Sequence, residues 1–250
     1  MAMLKVEHLV KHFGGLKATD DLSLEVYPGE LHAVIGPNGA GKTTLIHQLS
    51  GEYFPDSGRI IFDGMDITRK KAHSRALSGL GRSYQISSVF MEFSAIQNVM
   101  MALLAHSGHS FRFWHPVLKE RRLLEPAMAS LEQVGLGSMA DQTVANMAHG
   151  QRRQLELAMV LVTQPKLLLL DEPMAGMSQL ESERVIEILA SLKGRYAILL
   201  VEHDMDAVFA LADRISVLVY GHAIATGTPE EIRSSALVRE AYLGDPEDVV

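Results

Sequence analysis

Cysteine is absent from the 250-residue sequence. That excludes a disulfide framework, a thiolate zinc site, a thiol nucleophile and a cysteine-held iron–sulfur cluster, and it suits a cytosolic compartment. Long apolar runs are missing too. Even the longest, residues 99–105, and shorter ones such as 197–201 fall far short of the roughly 20 residues that span a bilayer. The first eight residues lack the basic-then-apolar order of a secretion signal, so work at a membrane would need other subunits to hold the chain there. A basic surplus is lacking as well: 23 Lys and Arg face 30 Asp and Glu, a net charge of -7. The densest basic groups are only Arg69-Lys70-Lys71 and Arg152-Arg153, so no nucleic acid partner is expected. No internal repeat, low-complexity tract or Pro- or Gly-rich linker breaks the chain.

What is present is an ordinary globular composition, 47% hydrophobic and 21% charged, long enough to bury a substantial core. Short apolar runs bounded by turn residues alternate with helix-period segments, which predicts an α/β fold with buried strands. Residues 31–35, 167–170, 197–201 and 215–219 read as such strands. Between two of them, residues 179–193 carry Val185, Ile188, Leu189 and Leu192 at i, i+3, i+4, i+7, a crossover helix covering one sheet face. Residues 4–9, 22–26 and 58–62 alternate, the last closed by Asp63-Gly64, and predict an antiparallel β layer. Residues 86–142 show no strand; helices over 94–106 and 118–134, joined through 107–116, predict a helical subdomain inserted into a catalytic core of 1–85 and 143–250. Thr228-Pro229-Glu230-Glu231 opens a capped helix with a short second one behind it.

Gly36-Pro37-Asn38-Gly39-Ala40-Gly41-Lys42-Thr43 matches G-x-x-x-x-G-K-[ST] directly after one predicted strand and before a helix. Glycines let successive backbone N–H groups close on a phosphate, and the helix N-terminus adds positive potential. Lys42 is placed to reach the β- and γ-phosphates and the Thr43 hydroxyl to ligate Mg²⁺. Leu167-Leu168-Leu169-Leu170-Asp171-Glu172 then delivers two acids at a strand's C-terminal end, where ligands sit in open α/β sheets. Asp171 would hold the metal and Glu172 polarise the attacking water. Adjacent acids at a strand end are common surface features, and it is their coupling to the P-loop that gives them weight. His8 and His12 read as surface residues, and no histidine grouping suggests a metal site of its own.

These motifs resemble those of ABC transporter ATPase subunits, over nearly the whole chain. Met147-Ala148-His149-Gly150-Gln151 stands where that family carries its signature, usually Leu-Ser-Gly-Gly-Gln. The resemblance implies that Ala148, His149, Gly150 and Gln151 cap the γ-phosphate of ATP on a partner subunit in a head-to-tail dimer. It implies that Gln85 is the Q-loop residue touching Mg²⁺, that His203 contacts the γ-phosphate, that Phe13 stacks on adenine, and that Thr44 joins the phosphate loop. Ala175-Gly176-Met177-Ser178 corresponds to the D-loop. Bland alternatives are core packing for Phe13, a place beside a helix N-cap for His203, and subdomain core for the Met-rich run 99–105.

Three departures stand out. Ala148 replaces the signature serine, removing one hydroxyl donor, a loss of roughly 1.5 to 3 kcal/mol if uncompensated, His149 replaces a signature glycine, and Ser178 replaces the usual D-loop aspartate. The signature changes predict a weakened composite site on the partner, and Ser178 puts dimer communication in doubt. Residues 162–165, Glu202-His203-Asp204-Met205, Gly227-Thr228-Pro229-Glu230 and Ala241-Tyr242-Leu243-Gly244 are similar to the branched-chain amino-acid importers and their urea-transport relatives. The implied protein is an ATP-hydrolysing, Mg²⁺-dependent subunit on the cytoplasmic face of the membrane. Its implied partners are two permease subunits, a second ATPase, either a paralogue or another copy, and, indirectly, a periplasmic or extracellular solute-binding protein. The alternatives are the lipopolysaccharide-export type, against which the length of residues 106–121 argues, a soluble ABC ATPase, and a P-loop kinase, for which no acceptor pocket is proposed.

Overall fold

The computed structural model describes residues 1–83, 89–107 and 121–243. In chain order the elements are β1 (Leu4–Phe13), β2 (Leu16–Val26), β3 (Leu31–Ile35), α1 (Lys42–Ser50), β4 (Ser57–Phe62), β5 (Met65–Asp66), α2 (Ala72–Leu77) and β6 (Leu80–Arg82). Then come α3 (Ala95–Ser107), α4 (Arg121–Gln133), α5 (His149–Leu161), β7 (Leu167–Asp171), α6 (Gln179–Leu192) and β8 (Ala197–Val201). The chain closes with α7 (Met205–Leu211), β9 (Arg214–Val219), β10 (His222–Gly227), α8 (Pro229–Ser234) and α9 (Ala236–Leu243). None of the described helices is long and apolar enough to cross a membrane.

The chain packs as two units. The first comprises Met1–Leu80, Lys166–Glu172 and Leu192–Val250. Its antiparallel sheet has the order β2-β1-β4-β5, and the larger sheet runs β10-β9-β3-β8-β7-β6, with β6 at the edge where the chain leaves the unit. Strands β3, β7, β8 and β9 are parallel, and every residue of β3, β7 and β8 is buried, as their near-continuous Leu, Ile and Val content dictates. Leu4, Leu22, Ile60, Phe62, Leu45, Leu49, Leu167 and Leu199 belong to its core.

Strands β1 and β2 run longer than the alternation predicts. Register shifts interrupt their pairing after Val6 and Leu9, and His8 and Asp21 sit at positive φ, so bulges break the two-residue period that a sequence reading relies on. The turn after β4 takes the expected form, Asp63 at φ 48° and Gly64 at φ 73°. Strands β5, β6 and β10 lie outside the predicted strands.

The second unit comprises Gly81–Pro165 and Pro173–Ser191. Helices α3, α4 and α5 pack on one another through Ile96, Val99, Met100, Leu123, Ala127, Leu131, Leu155 and Ala158, all buried. Of the run 99–105, Val99 and Met100 are therefore core while Met101 is exposed. Helix α6 forms over the expected residues, and all of it but Leu192 groups with this second unit.

Candidate functional site

Parallel pairing sets the site. Val34 of β3 and Asp171 of β7 both pair with Val201 of β8, so the three strands reach one level and the chain leaves them at one edge of the sheet. Gly36, Glu172 and Glu202-His203 follow directly from those ends, where doubly wound sheets bind ligands.

The loop after β3 needs glycine where its backbone is crowded. Gly41 has φ 101°, and a Cβ there would lie 2.1 Å from the Ala18 carbonyl oxygen. Gly36 has φ 154°, and its Cβ would meet the Leu218 carbonyl oxygen at the same distance. Helix α1 then opens on Lys42 with no side-chain cap, so the amides of Lys42, Thr43 and Thr44 keep the unmet donors of a first helical turn.

Those elements enclose an open cleft of about 250 Å³ lined by Phe13, Asn38, Gly39, Lys42, Glu172 and His203 among others. Ala40, Gly41, Thr43 and Thr44 also border it, while Gly36 and Pro37 shape the loop behind. Lys42 is buried, and its Nζ donates to the carbonyls of Gly36 at 2.6 Å and Pro37 at 3.0 Å. Desolvation pulls its pKa down, opposed by the negative charges of Glu172 and Asp171.

Asp171 ends β7 almost wholly buried. Glu172 takes φ 48°, a left-handed conformation costly for a non-glycine residue, and its N–H donates to the Val201 carbonyl at 2.9 Å. Its Oε1 lies 2.7 Å from His203 Nε2. An ionised carboxylate can only accept, so that pairing assigns the proton to Nε2. Glu202, buried beside it, accepts the His203 N–H through Oε2 at 2.8 Å, and Asp204 caps α7 by accepting from the Ala207 N–H. The helix cap is therefore Asp204, which leaves the His203 ring facing the cleft.

Phe13 is not core. It is 44% exposed, with its ring 5.4 Å from Tyr53 in an edge-on contact and Lys11 Nζ 5.6 Å above it. Tyr53 in turn stacks on His47 at 5.0 Å. Leu16, Ala18, Tyr53 and Glu202 are site neighbours that sequence reading missed. Only Glu202, adjacent to a motif histidine, offered a local signal.

Gln85 lies outside the described residues, as do Phe111, Phe113, Trp114 and Gly244. Ala148, His149, Gly150 and Gln151 lie in the second unit at the start of α5, with Ala148 and His149 exposed and Gly150 buried. No group of three or more His, Cys, Asp or Glu able to hold a metal occurs among the described residues. His8 and His12 pair instead with Asp21 and Asp56 at the surface. The hydroxyl of Thr43 and the carboxylate of Asp171 are hard oxygen donors of the kind that hold Mg²⁺ jointly with substrate phosphates.

A phosphate-binding loop feeding a helix N-terminus, with an acid pair at the end of the parallel strand one removed from it in the sheet, defines a P-loop ATPase. The comparisons with known proteins narrow the class. A family model described as ABC transporter matches residues 19–175, well over half the chain, and one described as branched-chain amino acid ATP-binding cassette transporter matches residues 224–248. The chain is 38% identical over 252 residues to the high-affinity branched-chain amino acid transport ATP-binding protein LivG of Escherichia coli, covering 97% of this chain and 98% of that one. It is 31% identical to the lipopolysaccharide export system ATP-binding protein LptB of Haemophilus influenzae, covering 98% of each. A crystal structure of an ABC transporter's ATP-binding cassette in its ADP conformation superposes with a TM-score of 0.87 at 30% identity, covering 98% of this chain and 100% of that one. The chain belongs to the ABC transporter ATP-binding family, and it is an ATPase.

Proposed function

We propose that this chain powers an importer of branched-chain amino acids or a related small polar solute from the cytoplasmic face of the membrane. The observation that carries this reading is the match of residues 224–248 to the branched-chain amino acid transporter model, in a chain 38% identical to a protein of that name. The lipopolysaccharide-export reading draws on a weaker likeness, 31%.

In the proposed cycle Phe13 takes the adenine ring and the first-turn amides of α1 take the phosphates. Lys42 exchanges the carbonyls of Gly36 and Pro37 for β- and γ-phosphate oxygens. Thr43, Asp171 and Gln85 hold Mg²⁺, which supplies charge neutralisation on the phosphates. Glu172 orients the attacking water and accepts its proton, and His203 turns from Glu172 to the γ-phosphate. Residues 148–151 meet the ATP of a second ATPase, either a paralogue or a second copy. The helical unit that contains α3 and α4 is the part through which the dimer's closure moves two permease subunits, which a solute-binding protein supplies from outside.

Affinity purification of the chain from detergent-solubilised membranes, with mass spectrometry of what co-elutes, tests the reading. Two permeases and a second ATPase are expected. Ribosomes or nucleic acid without membrane proteins would overturn it.

A further inference from the structure

Helix α5 opens with Ala148 at its N-cap position, φ -64° and ψ 161°, and alanine has no oxygen with which to accept a first-turn N–H. The Gly150 N–H is nevertheless satisfied. Oε1 of Glu181 accepts it at 3.1 Å, across 31 residues of sequence and within the same structural unit. The other oxygen of that carboxylate accepts the Ser178 N–H at 3.0 Å and the Ser178 hydroxyl at 2.8 Å, where α6 begins. One carboxylate therefore caps two helices. Gly150 makes the approach feasible, since a Cβ there would sit 2.5 Å from Glu181 Oε1.

We propose that Glu181 is a positioning residue for ATP hydrolysis: it supplies from α6 the cap that Ala148 cannot, and clasps residues 148–151 to Ser178 as one rigid element. This rests on the reading that residues 148–151 meet a partner's ATP. The departures at Ala148 and Ser178 then compensate each other. Ser178 donates a hydroxyl to Glu181, whereas an aspartate at that position could donate none and would set charge against charge. The donors from Ser178 and Gly150 hold the Glu181 carboxyl below its usual range, so the clasp is ionised at neutral pH.

Amide hydrogen exchange on the full nucleotide-free chain, with ATP turnover measured on the same preparations, tests this. In Glu181→Gln the amide nitrogen cannot accept, so the Gly150 or the Ser178 amide should exchange about tenfold faster. Turnover should fall about fivefold while ATP affinity at the chain's own P-loop stays unchanged. Adding Ala148→Ser to Glu181→Ala should restore protection at Gly150 but not at Ser178, whereas a role for Glu181 confined to α6 would leave the Gly150 amide protected in Glu181→Ala itself. Ser178→Asp should expose both amides. Unaltered protection in Glu181→Gln, unaltered turnover, or no rescue by Ala148→Ser overturns the proposal. A wild-type chain without ATP turnover would instead overturn the functional reading on which it rests.

Discussion

Glu172 Oε1 and His203 Nε2 stand 2.7 Å apart, joining the residue after β7 to the loop after the neighbouring parallel strand β8. The contact keeps a strained acid and a half-exposed imidazole at the mouth of one cleft. If His203 steers the reaction rather than substrate binding, His203→Ala should lower the rate of phosphate release by about 10²–10⁴-fold, with ATP affinity nearly unchanged. Single-turnover phosphate release beside nucleotide titration checks it; a lost affinity with normal turnover of the bound fraction contradicts it.

Lys42 Nζ donates to the loop carbonyls of Gly36 and Pro37, contacts within its own loop and not to the rest of the core. Lys42→Ala should therefore fold normally and lose ATP affinity by roughly 10- to 100-fold, the worth of a charge-assisted contact. Calorimetric titration with ATP reads the loss, and undiminished affinity would count against the cradle.

Much of this site is legible in the sequence because its chemistry is local. Residues 36–43 carry the phosphate loop in one stretch, and Asp171-Glu172 follow four leucines, a run too short for a core helix and bounded at Pro165 and Pro173. The strands at 31–35 and 197–201 have the bounds their apolar runs predict. Strand β10 escaped notice because its His-Ala-Ile-Ala-Thr-Gly sequence is half-buried without alternation, and its turn rests on Tyr220 and Gly221 at positive φ. Strand β6 has three residues, too few for any period. The Glu181 clasp and the Phe13–Tyr53 contact join distant segments, so no local pattern announces them.

Asp56 steadies the strand that carries Phe13. Its carboxylate accepts from Lys11 Nζ at 2.9 Å and the His12 N–H at 2.7 Å, and chiefly the Lys11 bond holds its pKa at about 2 against an ordinary 3.8. A depressed pKa stabilises the fold above the unfolded value, and that contribution disappears as pH falls through the folded one. Wild type should therefore melt above Asp56→Asn near neutral pH, and the margin should close between about pH 4 and 2. A margin independent of pH would contradict the assignment.

Arg75 is fully buried and forms no ion pair among the described residues, and burial brings its pKa down to about 10 against the opposing charge of Asp66. Its guanidinium donates to the carbonyls of Lys70, Thr68 and, at the C-terminal end of α1, Gln48 and Leu49. Arg75→Ala should cost roughly 3–5 kcal/mol in denaturant unfolding, because it strands several buried acceptors. Arg75→Lys should recover less than half, lacking the planar fork of donors.

In the proposed cycle Glu172 drives ATP hydrolysis in a dimer closed by ATP. Phosphate release by wild type and Glu172→Gln, with light scattering of each in ATP and Mg²⁺, tests this most directly. The variant should bind ATP, release essentially no phosphate and accumulate as a dimer. Wild-type turnover by Glu172→Gln would contradict it.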